Sequence, residues 1–333
     1  MTASVVASIV TSGCREREPP SSSPATVDHS LSPATAERSL SPVAPKYRAL
    51  ALSLRRDVVA LATEIGGRDI EHREALEQAA SYIEQRWRAQ GYEVQSQPYT
   101  VGAVSVRNLE VERRGTEHPE QIVVVGAHYD SWAANPGAND NGSGVAAMLE
   151  LSRTFAEVSC ACTLRFVAFV NEEPPYFHTD AMGSLVYARR SKARGEDIIG
   201  MLSLETMGYY TSAPDSQHYP PVLALLYPSR GNFVAIVGNA RSRPFVHRVV
   251  ESFERHTSFP VESIAATDAV EGIGWSDHWS FYTQGYPAVM VTDTAPNRYV
   301  HYHTMEDTPD KLDYLSMAQV VAALREVVGE LVR

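Results

Sequence analysis

Val123-Val124-Val125-Gly126-Ala127-His128-Tyr129-Asp130-Ser131, then Gly137-Ala138-Asn139-Asp140-Asn141-Gly142-Ser143-Gly144, decides the fold. The β-branched apolar run reads as a buried strand. It breaks into His128 and Asp130, and a glycine-rich turn carrying Asp140 then launches an apolar helix, expected from Asn141 to Glu157, with Val145, Met148, Leu149 and Leu151 on its packed side. Three groups able to ligate a metal or move protons thus stand just past the carboxyl end of a strand, where open α/β sheets bind their ligands.

The same arrangement recurs along the chain. The apolar strand 163–170 ends in Asn171-Glu172-Glu173, the strand 198–204 ends at Glu205, and the strand 287–291 is followed by a loop to His303. Helices are expected near 48–65, 71–90, 184–194, 243–256, 278–284 and 315–332. Further strands are expected near 92–101, 104–113, 221–227, 233–238 and 260–266. In the helix at 71–90, Leu76, Ala80, Ile83 and Trp87 share one face. Strands alternating with helices after residue 120 predict an α/β three-layer sandwich: a central, mostly parallel mixed sheet flanked by helices.

With 333 residues and 44% hydrophobic content, the chain is long enough for a sizeable core. Its net charge of −11 argues against a nucleic-acid surface. No apolar run reaches the roughly 18 residues of a membrane-spanning helix. Residues 1–14 are small and apolar and end in Ser12-Gly13-Cys14, which resembles the lipobox of bacterial lipoproteins. Residues 15–45, rich in Ser, Pro, Ala and Thr, read as a linker. Residues 46–333 are then expected to form a single domain, and the expected location is extracytoplasmic, with membrane attachment only through a lipidated Cys14. Cys160 and Cys162 are one residue apart, too close for an unstrained bridge, and read as free thiols.

The strand ends bring together two histidines and several carboxylates. A borderline divalent metal such as zinc accepts imidazole nitrogen and carboxylate oxygen. Two such ions, sharing ligands, would sit roughly 3.5–4 Å apart. Of the adjacent Glu172 and Glu173, one can ligate while the other takes a proton from water. In His128-x-Asp130, the aspartate can accept a hydrogen bond from the ring nitrogen that faces away from a metal.

Taken in order, His128-x-Asp130, Gly137 to Gly144, Asn171-Glu172-Glu173, Leu204-Glu205-Thr206-Met207-Gly208, Ser276-Asp277-His278-Trp279-Ser280-Phe281 and the run from His303 to Asp313 resemble the zinc-dependent exopeptidases of bacterial leucyl aminopeptidase and aminopeptidase S type. Glutaminyl cyclases and glutamate carboxypeptidases are relatives. The resemblance covers about residues 70–333. It implies the zinc exopeptidase fold, two zinc ions per chain and peptide substrates. His128 and Glu205 would serve one zinc, Glu173 and His303 the other, and Asp140 both. Glu172 would be the general base and Asp130 would support His128. Asp277 reads either as a group that holds the substrate's amino end or as a carboxylate at a helix N-terminus. A cis peptide bond after Asp140 is also implied.

Two departures from the family pattern stand out. Glu205 occupies a position where most such aminopeptidases have Asp, and the loop after Glu173 is long, so that Tyr176, Phe177 and His178 are expected to line or cover the cleft. Loops 132–137, 174–182, 208–219 and 293–302 are expected to form the pocket. A single-zinc glutaminyl cyclase, using Asp140, Glu173 and His303, is the alternative; the presence of both His128 and Glu205 favours two metals. A non-catalytic scaffold would have lost ligands, and here every ligand position is filled.

Overall fold

A computed structural model of the chain describes residues 44–219 and 223–333. The expected lipobox, Cys14 and nearly all of the linker lie outside the described residues. Eight strands form one sheet: β1 (Gln95–Val101), β2 (Val104–Arg113), β3 (His118–His128), β4 (Cys162–Phe169), β5 (Asp197–Glu205), β6 (Val234–Asn239), β7 (Val261–Ala266) and β8 (Ala288–Thr292). Their order is β1-β2-β4-β3-β5-β8-β6-β7. The four central strands, β4, β3, β5 and β8, are mutually parallel. Both flanks bring in antiparallel pairing, β2 against β4 and β6 against β8, and β7 runs parallel to β6.

From Ile122 onward strand β3 is buried on both faces, which is why its sequence there is continuously apolar rather than alternating. Val123, Val125 and Ala127 join a core with α1 (Ala44–Val59), α2 (Arg73–Ala89), α3 (Gly144–Phe155), α5 (Arg243–His256) and α7 (Tyr314–Leu331). Ile122 and Val124 join the opposite core with α4 (Gly183–Ala193) and α6 (His278–Thr283). The expected face of α2 is the buried one, and the Trp87 indole donates to Ser152 Oγ at 3.0 Å. Burying one such large apolar side chain stabilises the fold by roughly 1.5–3 kcal/mol.

Cys160 and Cys162 are free and buried, as expected. In the described part of the segment expected as a strand at 221–227 no strand forms: residues 223–225 make a short 3₁₀ turn instead. Pro220 and Pro221 supply no backbone N–H to a ladder, which works against a strand there. The helix expected from residue 141 begins only at Gly144, because residues 138–143 form an irregular turn with non-helical backbone at Asp140 and Asn141. The Asp140–Asn141 peptide bond is cis.

Candidate metal centre

The parallel orientation of β3, β4, β5 and β8 puts their carboxyl ends on one edge of the sheet. His128 closes β3, Glu172 and Glu173 follow β4, and Glu205 closes β5. Asp140 does not belong to a strand and has to be carried there. The turn that carries it is held from several sides. Arg68, fully buried, donates to the carbonyl oxygens of Tyr129 (2.7 Å), Pro136 (2.6 Å) and Gly137 (2.8 Å). Asp307 accepts the backbone N–H groups of Asn139 (2.9 Å) and Asp140 (3.1 Å). Asn139 donates to Asp293 (2.9 Å), and Asn141 donates to the Leu204 carbonyl (2.8 Å). Gly137 has φ +57°, and a Cβ there would collide with the Asp140 carbonyl. Gly137, Asn139 and Asn141 of the motif therefore each answer a local constraint.

The result is a buried cluster with Asp140 at its centre. Asp140 Oδ1 lies 3.3 Å from His128 Nε2, and Asp140 Oδ2 lies 3.1 Å from His303 Nε2. Glu205 Oε2 is 3.3 Å from His128 Nε2, Glu173 Oε2 is 3.3 Å from His303 Nε2, and Glu172 Oε2 stands 3.8 Å from His128 Nε2. Two donor triads follow, His128–Asp140–Glu205 and Asp140–Glu173–His303, each with its ligand atoms within 4.8 Å of one another. His128, Glu172 and Glu173 form a third such group.

Four buried atoms at this place have no hydrogen-bond partner: His128 Nε2, Asp140 Oδ1, Glu173 Oε1 and His303 Nε2. Buried polar atoms left unpaired are rare and ask for an explanation. Electrostatics points the same way. Burial pushes the carboxyls of Glu172 and Glu205 above their usual range and that of Glu173 up to about 8, with neighbouring carboxylates adding to each. Burial also pushes Asp140 up, but the facing His128 and His303 outweigh it and hold its carboxyl low. Four carboxylates around two imidazoles are short of positive charge, and the donor atoms are those that zinc takes. The residues fit a metal.

Supporting groups fix these side chains. The Asp130 carboxylate accepts the backbone N–H of Glu172 at 3.2 Å and of Glu173 at 3.1 Å, so one residue fixes the place of both glutamates. His128 Nδ1 lies 3.2 Å from the Asp130 carbonyl and 3.6 Å from its carboxylate. The expected contact with the ring is thus mainly through the backbone oxygen. Ser276 Oγ donates to Glu205 at 2.8 Å. His303 stacks against Trp132 (centroids 5.1 Å apart) and Tyr302 (3.9 Å).

Asp277 is fully buried, with neither carboxylate oxygen hydrogen-bonded, and is close enough to lift Glu172 further. Tyr176 packs against the main apolar core. Its neighbours Phe177 and His178 stack in series on Trp279, and His178 Nε2 is 2.9 Å from the Gly274 carbonyl. None of these three residues lines the cavity that opens beside Glu205. Loops 132–137 and 174–182, expected to shape the pocket, do not line this cavity either; the segment from Glu262 to Trp275, not anticipated, does.

Comparison with known proteins completes the description. The model for peptidase family M28 matches residues 108–328. The chain belongs to peptidase family M28. It is therefore a hydrolase of the metallopeptidase class, and the fold is that of the M28 zinc aminopeptidases. The protein YfbL of Escherichia coli K12, described as uncharacterized, is 35% identical over 277 residues, covering 80% of this M28 chain and 84% of that protein. A probable leucine aminopeptidase 1 of Trichophyton verrucosum is 30% identical over 227 residues, covering 64% of this chain and 55% of that one, so the match spans about half the fungal protein. Among solved structures, BSAP, a zinc aminopeptidase from Bacillus subtilis, superposes with a TM-score of 0.69 at 16% identity, covering 85% of this chain and 95% of that one. A Fimbriiglobus ruber glutaminyl cyclase superposes with a TM-score of 0.65 at 20% identity, covering 90% and 99%.

Proposed function

We propose that this M28 chain is an exported aminopeptidase that holds two zinc ions and removes N-terminal residues from peptides. The observation that carries the reading is the pair of donor triads that share Asp140. His128 and Glu205 would hold one ion, Glu173 and His303 the other, and Asp140 both. Zinc bound there would act as a Lewis acid on the peptide carbonyl and lower the pKa of water toward about 7. The chain's own residues do the rest. Glu172, the carboxylate not needed by either triad, takes a proton from the attacking water and returns it to the departing amine. Asp130 holds the Glu172 backbone so that its side chain starts from a fixed point. The stacked Trp132 and Tyr302 restrict the His303 ring, and Ser276 restricts Glu205.

A single-zinc glutaminyl cyclase would need only Asp140, Glu173 and His303. The convergence of His128 and Glu205 on the other oxygen of Asp140 favours the two-metal hydrolase. Glu205 meets His128 at the same 3.3 Å as Asp140 does, which supports its longer side chain as a ligand in place of Asp.

Titration with zinc, followed by calorimetry and elemental analysis, is expected to saturate at two ions per chain. Chelation should abolish release of nitroaniline from aminoacyl-nitroanilides, and added zinc should restore it. Saturation at one ion, with cyclisation of a Gln-peptide in place of hydrolysis, would sink the proposal. Export rests on the apolar segment ending in Cys14; recovery of the chain solely from the cytoplasm of its source cell would overturn that part.

A further inference from the structure

Glu205 stands at one end of an open cavity of about 120 Å³. The floor of this cavity is the sheet itself. Glu205, Thr292, Ala235 and Glu262 are directly opposite one another on β5, β8, β6 and β7, and all four line the cavity. Thr292 and Ala235 are small, so the floor is low between the two carboxylates. The walls are aromatic, with Tyr219, Tyr227, Trp275 and Tyr302 among them.

Among the described residues no lysine, arginine or histidine lines the cavity, whereas Glu205, Glu262 and Glu271 do. Burial is what moves the Glu262 carboxyl, upward, and no described cation offsets it. Arg298 lies nearby without lining the cavity; its Nε donates to Gln217 Oε1 (2.6 Å) and its Nη1 to the carbonyls of Gly231 and Phe233 (2.9 Å each), while Nη2 has no partner. The far end of an apolar cavity thus carries a partly buried carboxylate with no cation beside it among the described residues.

The spacing sets a length. Neighbouring strands lie about 4.8 Å apart, so the backbones at Glu205 and Glu262, three strand spacings apart, are separated by roughly 14 Å. With about 3 Å for the polar contact at Glu262 and a similar length taken up by the metal site at Glu205, roughly 8 Å remains. An extended arginine measures about 8 Å from its amino nitrogen to its guanidinium, lysine slightly less, and leucine ends about halfway.

We propose that this cavity receives the side chain of the substrate's N-terminal residue and selects a long one ending in a cation, lysine or arginine. The stem lies between the aromatic walls and the charge meets Glu262. This rests on the aminopeptidase reading and adds the substrate class.

The test compares hydrolysis of Arg-, Lys-, Leu- and Ala-nitroanilides by the zinc-loaded full chain. The kcat/KM for Arg and Lys is expected to exceed that for Leu at least tenfold. Glu262→Gln should lower the Arg-to-Leu ratio by about 10- to 100-fold, the factor that one charge-assisted contact supplies, and Glu262→Asp should keep part of it. A ratio taken within one preparation is unaffected by the fraction folded. Calorimetry should show Glu262→Gln weakening the binding of L-argininamide to the metal-free chain as well. Leu cleaved as fast as Arg by the unsubstituted enzyme, or a ratio unchanged in Glu262→Gln, overturns the selectivity and leaves the aminopeptidase reading standing. Cleavage of none of the four substrates overturns both.

Discussion

Glu172→Gln is expected to lower kcat by about 10²- to 10⁴-fold, the usual contribution of a positioned general base, while zinc content and fold stay unchanged. Gln has the size of Glu and keeps the backbone N–H that Asp130 accepts, so the loop after β4 keeps its anchor. What it loses is the ability to take up and release a proton. Burial lifts the Glu172 carboxyl well above the ordinary range, and Glu205 and Glu173 add to the lift against the pull of His128. A carboxyl so placed holds a proton long enough to pass it on, as a group that is base in one step and acid in the next requires. Steady-state kinetics with metal analysis on the same sample checks this. A variant that binds zinc and keeps more than about a tenth of its kcat would remove Glu172 from this role.

Asp140→Asn is expected to act on both metals at once. Asp140 turns one charged oxygen to His128 and the other to His303, at 3.3 and 3.1 Å. Asn offers a single neutral oxygen and places an amide where the second belongs. Zinc affinity should fall by more than the roughly 10–100-fold that outer hydrogen-bonding partners are worth, with activity lost in parallel. The comparison that isolates the effect is His303→Ala, which removes a group from one triad only and should spare the other ion. Two zinc ions still bound by Asp140→Asn at unchanged affinity would show that the carboxylate is not shared.

The central half of the fold was legible because its strands are buried on both faces and end abruptly in polar residues. Val123 to Ala127 could not be a surface strand, and His128 after them could not be incidental once Glu172, Glu173 and Glu205 followed the same pattern. The groups that hold the site were harder to read. Arg68 looks like any charged residue after a helix, and nothing local shows that its guanidinium will be spent on three carbonyls 61 to 69 residues away. Asp307 sits in a motif that was noted, yet its contacts to the backbone of Asn139 and Asp140 exist only after the chain has closed. Tyr176, an aromatic residue close in sequence to Glu173, is partly buried against the core, a contact that local sequence does not show. The segment 262–275 gave no signal because its role depends on β7 lying at the far edge of the sheet, a matter of strand order rather than local pattern.

The antiparallel join between β8 and β6 gives the molecule a division of labour. Every group assigned to the metals or to proton transfer comes from the β3, β4 and β5 strand ends or from the turns before α3 and α7. The β6–β7 pair contributes none of them, yet carries Ala235 and Glu262 of the cavity floor. The division is partial. Substitutions in residues 234–266 would reshape the far half of the cavity and leave every assigned metal ligand in place, whereas Glu205 and Tyr302, the stacking neighbour of His303, belong to both the cavity and the metal centre.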